Sequence, residues 1–321
     1  MYKVIVTDHA FPSLDPERAV LSGLAEVIDR SPLRTEDEVI GAAHDADALI
    51  ISFVPITARV MDALPQLRCI VRYGVGYDTI DVDAAAARGI QVANVPDYCI
   101  PEVADHAMAL LLALARKVVP LDAGMRRGEW AAVRTAKPIH RIEGRTLGLI
   151  GMGRIGRAVV RRALGFGLRV LVYDKYLSPE QAREAGATPV ELDVLLRESD
   201  FVSIHTPLTP ETRHLINAEA IAKMKPSAYL INVARGAIVD TLALADALRA
   251  GRIAGAALDV FEQEPLPADH PIRNAPNTIL HPHAAWYSEE ALIQLQTNAA
   301  EEVARALRGE PLKNPLTPAR R

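Results

Sequence analysis

The segment Gly151-Met152-Gly153-Arg154-Ile155-Gly156 constrains this chain more than any other stretch. It follows an apolar strand pattern, Thr146–Gly151, and opens a helical one, Gly153–Phe166. A G-x-G-x-x-G spacing alone is weak, because glycines cluster by chance; between a strand and a helix each glycine has a physical purpose. Gly151 allows a tight turn, Gly153 lets backbone approach a pyrophosphate, and Gly156 lets helix and strand pack closely. The helix N-terminus then offers unpaired N–H groups and a positive dipole to phosphates. The next strand pattern, Arg169–Asp174, ends in a carboxylate about 20 residues downstream, where it can accept hydrogen bonds from a ribose. Ile150 to Gly156 and Asp174 are therefore cofactor-binding candidates. Asp174 favours NAD over NADP by repelling a 2′-phosphate, a preference that Lys175 and Arg154 could soften.

Short β-rich runs alternate with helical stretches along the whole chain. The first part has strand candidates at Tyr2–Asp8, Ala46–Ser52, Leu67–Gly74 and Ile90–Pro96. The second has Thr146–Gly151, Arg169–Asp174, Phe201–Thr206, Ala228–Ala234, Gly255–Phe261 and Asn277–His283. Mostly apolar strands separated by crossovers imply parallel sheets covered on both faces. A helix from about Glu102 to Lys117 is apolar nearly all round, which demands burial on several sides, at a domain joint or a subunit interface. Thr35-Glu36-Asp37-Glu38 reads as a capping box, and Asp81–Arg88 before Gly89 as a short helix with a glycine stop. Met125–Arg145 has weak periodicity, and a last helix spans about Ser288 to Arg308.

The 321 residues allow two domains. Thirty-six basic against 40 acidic side chains leave a net charge of −4, which argues against an extended nucleic-acid surface. The longest uninterrupted apolar run, Ala107 to Ala115, falls far short of the ~20 residues of a membrane helix, so no membrane partner is expected. The start, MYKVIVTD, reads as a strand and not as a leader. The two cysteines, Cys69 and Cys99, have neither zinc-ligand spacing nor disulfide-scaffold density. A cytoplasmic enzyme is the expectation.

Nicotinamide chemistry needs a proton donor or acceptor beside the hydride path and a cation for substrate charge. Three segments at strand C-terminal ends, where open α/β sheets place ligands, offer them: Asn232–Gly236, Asp259–Pro265 and His281–Trp286. The planar fork of Arg235 suits a 2-oxo acid, binding its carboxylate and polarising its carbonyl. A histidine paired with a carboxylate, His283 with Glu264, can exchange a proton with that carbonyl oxygen. Taken singly, each also reads as an ordinary surface or loop residue.

These segments together with GMGRIG resemble the D-isomer-specific 2-hydroxyacid dehydrogenases, and within them the C-terminal binding protein branch. Arg72-Tyr73-Gly74-Val75-Gly76-Tyr77-Asp78-Thr79-Ile80-Asp81 is similar to that branch's substrate loop, and His283-Ala284-Ala285-Trp286-Tyr287-Ser288-Glu289 to its histidine segment. The likeness covers nearly the whole chain. It implies two doubly wound α/β domains: a flavodoxin-like substrate domain from residues 1–99 and 287–321, and a Rossmann NAD domain from 100–286, with the reaction in the cleft. It further implies that Arg235 orients the 2-oxo acid, that His283 is the acid/base with Glu264 as partner, and that Arg72, Gly74, Val75 and Gly76 receive the substrate carboxylate. Thr206, Pro207 and Thr212 would line the adenosine side. Val233, Ala234, Asp259, Ala285 and Trp286 would face the nicotinamide half, with Trp286 also walling the substrate pocket. A homodimer is implied as well. Two positions depart from the family pattern: His281, where a small hydroxyl residue is frequent, and Thr79, where asparagine is.

No group of His, Cys, Asp and Glu shows metal-ligand spacing, so no metal is expected. His205 reads as a strand-end histidine, and His9, His44, His106, His140, His214 and His270 as structural or exposed. A short-chain dehydrogenase is poorly supported, since none of the eight tyrosines has a lysine four residues later. The alternative from another class is an NAD(H)-sensing binding protein, which would keep the same site with little turnover. The substrate stays open among glyoxylate, hydroxypyruvate, 3-phosphohydroxypyruvate and larger 2-oxo acids.

Overall fold

The computed structural model describes residues 1–317. It divides into two compact units, one formed by Met1–Cys99 with the chain from Tyr287 onward, the other by Ile100–Trp286. Residues 318–321, which the expected substrate domain included, lie outside the described residues.

In the first unit the strands among the described residues are β1 (Tyr2–Val6), β2 (Ala25–Asp29), β3 (Ala48–Ile51), β4 (Cys69–Arg72) and β5 (Gln91–Asn94). They pair in parallel in the order β2-β1-β3-β4-β5. Ala48–Ile51 is buried at every position, as a central strand covered on both faces must be. Ile5, Leu49, Ile51, Ile70 and Val92 join one apolar cluster; truncating such a side chain to alanine costs about 2–5 kcal/mol. The helix Glu289–Arg308 belongs to this unit. Ser288 caps it by accepting from Ala291 N–H at 2.9 Å, and Gly309 ends it in the left-handed conformation. Buried Glu17 takes Gln296 Nε2 and the Tyr73 hydroxyl on its carboxylate, fixing that helix against Asp15–Val20. Farther on, Leu316 N–H donates to Val92 O at 2.8 Å and Val92 N–H to Thr317 Oγ1 at 3.0 Å, so the chain lies along β5.

The second unit holds β6 (Thr146–Ile150), β7 (Arg169–Tyr173), β8 (Thr188–Pro189), β9 (Phe201–Ile204), β10 (Tyr229–Asn232), β11 (Gly255–Leu258) and β12 (Thr278–Leu280). All pairs are parallel, in the order β12-β11-β10-β9-β6-β7-β8. The order reverses between β6 and β9, the switch point at which doubly wound sheets bind ligands. The apolar helix Ile100–Ala115 is buried within this unit, against the helix Arg154–Gly165 and strands β10 and β11.

Each sheet has one strand more than the sequence patterns give. Both additions are edge strands, β2 and β8. Edge strands need only one apolar side and can be very short, so Ala25–Asp29 carries two carboxylates and Thr188–Pro189 lacks any periodicity. Met125–Arg145 includes the end of a helix, Val118–Arg126, and a short one, Ala132–Ala136.

Candidate active site

The nucleotide-type turn has the geometry its glycines require. Gly151 lies at φ +89°, and a Cβ there would come within 2.8 Å of Thr206 N and 2.9 Å of the His205 carbonyl. A Cβ on Gly156 would press on Gly151 O at 2.5 Å, whereas one on Gly153 would point into open space. The helix Arg154–Gly165 begins at Gly153 without a side-chain cap, and Gly153 and Arg154 are exposed. An anion is what such an uncapped N-terminus accepts. Asp174 Oδ2 accepts from Met152 N–H at 2.7 Å and Oδ1 from Tyr176 N–H at 2.9 Å. The carboxylate thus sits against the turn with lone pairs left for ribose hydroxyls. Lys175 Nζ is paired with Glu211 at 2.6 Å, so its charge is already matched by a carboxylate. Ile150 and Met152 are buried beneath the turn and Ile155 is half-buried. These residues fit a dinucleotide. Thr212 Oγ1 donates to Pro207 O at 2.7 Å and so shapes the turn that follows Thr206.

Three loops at the C-terminal edge of this sheet, after β10, β11 and β12, hold Arg235, Glu264 and His283. Asn232, 1% exposed at the end of β10, donates from Nδ2 to Arg235 O and accepts from Ala234 N–H, which fixes the backbone on both sides of Val233–Arg235. Arg235 Nη1 donates to Ala234 O at 2.7 Å. A Cβ on Gly236 would collide with the Phe261 carbonyl group, so only glycine lets this loop meet the one after β11. There Glu264 accepts Phe261 N–H on Oε1 at 2.9 Å and meets His283 Nδ1 with Oε2 at 2.7 Å. Burial pushes the Glu264 carboxyl up. The hydrogen bond and charge of His283, the Phe261 N–H and the positive charge of Arg235 outweigh it and hold the carboxyl below its ordinary value. Glu264 is then a carboxylate at neutral pH, and its contact orients the His283 ring through Nδ1.

His283 lies at φ +54°, a left-handed conformation that a non-glycine side chain adopts only when its surroundings impose it. Asp259 imposes it. Its carbonyl accepts His283 N–H at 2.8 Å, and its carboxylate accepts Ala284 N–H and Ala285 N–H at 2.8 Å each. Asp259 is wholly buried, Ala285 is buried and Trp286 half-buried.

The substrate-loop motif lies in the first unit. Arg72 Nε donates to Ser52 O at 3.2 Å, and its guanidinium lies 5.6 Å from the Phe53 ring centre. Asn94 Nδ2 donates to Val75 O at 2.6 Å and Val95 N–H to Gly74 O at 3.0 Å, so the end of β5 anchors Gly74–Gly76.

Residues 108–285 match the family model described as D-isomer specific 2-hydroxyacid dehydrogenase, NAD binding domain. The chain is 47% identical over 275 residues to a glyoxylate reductase of Korarchaeum cryptofilum, covering 85% of this chain and 83% of that one. The chain belongs to the D-isomer specific 2-hydroxyacid dehydrogenase family. Identity to a D-3-phosphoglycerate dehydrogenase of Methanocaldococcus jannaschii is 42%, over 98% of this chain and 59% of that longer protein. The TT0316 protein of Thermus thermophilus has a similar structure, with TM-score 0.86 and 39% identity over 98% of this chain and all of that one. The dehydrogenase is therefore an NAD-dependent oxidoreductase acting on CH–OH donors.

Several of this dehydrogenase's other histidines have partners that spacing along the sequence does not reveal. The His205 ring meets Ser203 Oγ at 2.8 Å, and desolvation lowers its pKa well below the ordinary value. His214 meets Glu262 at 2.8 Å, and His9 meets Asp29 at 3.2 Å. His106 corrects the sequence reading, in which it has no partner pattern. Its Nε2 lies 2.8 Å from His281 Nδ1 and 3.9 Å from Asp259 Oδ1. Burial, and the charge of His281, lower the His106 pKa against the opposing pull of Asp259. The two histidines are 175 positions apart, which is why spacing shows nothing of the cluster.

Proposed function

We propose that this dehydrogenase reduces a 2-oxo acid to a D-2-hydroxy acid with NADH, and runs the reverse reaction with NAD. The observation that carries the proposal is the 2.7 Å contact of His283 with Glu264, a carboxylate that also feels the charge of Arg235. Arg235 binds the substrate and polarises its carbonyl; His283 gives the carbonyl oxygen its proton in reduction and recovers it in oxidation. Glu264 stabilises the imidazolium between those events. Gly151–Gly156, with the uncapped helix behind it, and Asp174 hold the dinucleotide, which supplies the hydride when bound. Thr206, Pro207 and Thr212 border its adenosine half, and Val233, Ala234, Asp259, Ala285 and Trp286 its nicotinamide half. The backbone of Gly74–Gly76, with Arg72, receives the substrate carboxylate.

The 47% identity to a glyoxylate reductase favours a small unphosphorylated acid such as glyoxylate or hydroxypyruvate. The reductases and dehydrogenases among the relatives favour turnover over a purely NAD(H)-sensing role of the C-terminal binding protein kind. Exposed apolar side chains on and beside two helices of the second unit, among them Val119, Met125, Trp130 and Val133, support a homodimer, which light scattering checks. Two buried cysteines, Cys69 and Cys99, suit a reducing, cytoplasmic compartment. The test is oxidation of NADH against glyoxylate, hydroxypyruvate, pyruvate and 3-phosphohydroxypyruvate. Turnover of one or more with D-product supports the proposal; tight NADH binding with no turnover of any overturns it in favour of sensing.

A further inference from the structure

His106, Asp259 and His281 bring three donor atoms together at the C-terminal edge of the second sheet, all within 4.8 Å of one another. The donors come from three separate elements: the helix Ile100–Ala115, the residue after β11 and the residue after β12. A tetrahedral zinc-class ion with bonds near 2.0 Å spaces its ligands by roughly 3.3 Å. The observed separations of 2.8 Å between the imidazoles and 3.9 Å from His106 to the carboxylate straddle that value. Small side-chain rotations therefore convert the contact into a coordination set.

Asp259 is suited to such a site. Its carboxylate is buried and negative, and each oxygen already holds one backbone N–H, from Ala284 or Ala285, which fixes its orientation. A second lone pair on each oxygen remains for a cation. Buried carboxylates need a compensating positive charge, and the His106 imidazole 3.9 Å from Asp259 supplies one only when protonated. The imidazole pair uses a single hydrogen bond, so one ring must move its proton to its opposite nitrogen before both can ligate. His106 remains 24% exposed and His281 half-buried, so an ion can reach them from solvent.

We propose that His106 Nε2, His281 Nδ1 and Asp259 Oδ1 form a binding site for a divalent transition cation of the zinc class, with water at the remaining position. The site is separate from the proton-handling pair His283–Glu264. It borrows the carboxylate that anchors the His283 backbone, so occupancy stiffens that segment and raises thermal stability. It stands whether or not a 2-oxo acid proves to be the substrate.

The test uses full-length protein stripped with EDTA and dialysed against zinc, with cobalt(II) as the spectroscopic probe. The expected result is one ion retained per chain, a visible cobalt d–d spectrum and a raised Tm. His106→Ala and His281→Thr should each weaken retention by more than about tenfold, while His283→Ala keeps it. Thermal melting of the apo-variants verifies folding, and His281→Thr carries the test if His106→Ala does not fold. No retention by wild-type protein, equal retention in the folded His106 and His281 variants, or loss in His283→Ala would overturn the proposal. NADH turnover by the stripped enzyme separates this outcome from failure of the dehydrogenase reading.

Discussion

The two sheets reverse strand order at their first strands, and they treat the resulting gap in opposite ways. In the first unit β1 runs into Asp8, whose carboxylate fills the gap by accepting Ser52 N–H, Phe53 N–H and Val54 N–H at 2.9, 2.5 and 3.2 Å. In the second unit β6 runs into Gly151, with no side chain, beside a helix whose first N–H groups are uncapped. The same topology is satisfied internally in one unit and left for a ligand in the other. A switch point is thus a place where backbone donors converge, and the first one or two residues after the strand decide whether they serve stability or binding.

That contrast can be broken experimentally. His283→Ala removes the proton-handling group from the open edge, and kcat should fall by about 10²–10⁴ with the Kd for NADH little changed; equal losses in both would make His283 structural. Gly151→Ala closes the gap, because a Cβ at φ +89° strikes the Thr206 backbone. NADH affinity should drop more than about 100-fold in calorimetry; binding within a few-fold of wild type would mean that the turn does not hold the dinucleotide. Asp8→Ala opens the filled gap, leaving three backbone donors without their acceptor. Stability should fall by about 3 kcal/mol in urea unfolding, with NADH affinity unaltered; a large loss of NADH affinity would contradict the assignment of Asp8 to stability alone. Asp174→Ala should weaken NADH about tenfold and NADPH by less.

The smallest effect tests the opposite edge of the second sheet. Burial raises the Asp200 pKa, but the Thr146 N–H, Lys225 and Arg145 together hold it below the ordinary carboxylate value. A depressed folded pKa gives stability that is present above the unfolded value near 3.9 and lost as pH falls through the folded one. Asp200→Asn should therefore cost about 1 kcal/mol near neutrality, and the gap from wild type should shrink below about pH 4. A gap independent of pH would place the loss in packing instead.

The central strands are legible in the sequence because burial on both faces makes Ala48–Ile51 or Thr146–Ile150 apolar at nearly every position. The edge strands β2 and β8 are not, since an edge imposes no such composition. The Gly151–Gly156 turn is legible because its chemistry is local. Arg235, Glu264 and His283 stand out only together with a family likeness, for each alone is an ordinary residue at a strand end. Asp259 as the anchor of Ala284 and Ala285, and the meeting of His106 with His281, depend on strand adjacency and helix docking, which no spacing along the chain encodes.

The helix Glu289–Arg308 bears on how the molecule is made. On a ribosome the second unit, continuous from Ile100 to Trp286, is complete before Gln296 exists. Residues Met1–Cys99 meanwhile wait with Glu17 held by Tyr73 but not by Gln296, and with β5 uncovered until Leu316 and Thr317 emerge. The unit that brackets the other in the chain is thus finished after it, and during that interval its nascent sheet is the part most in need of chaperone shelter.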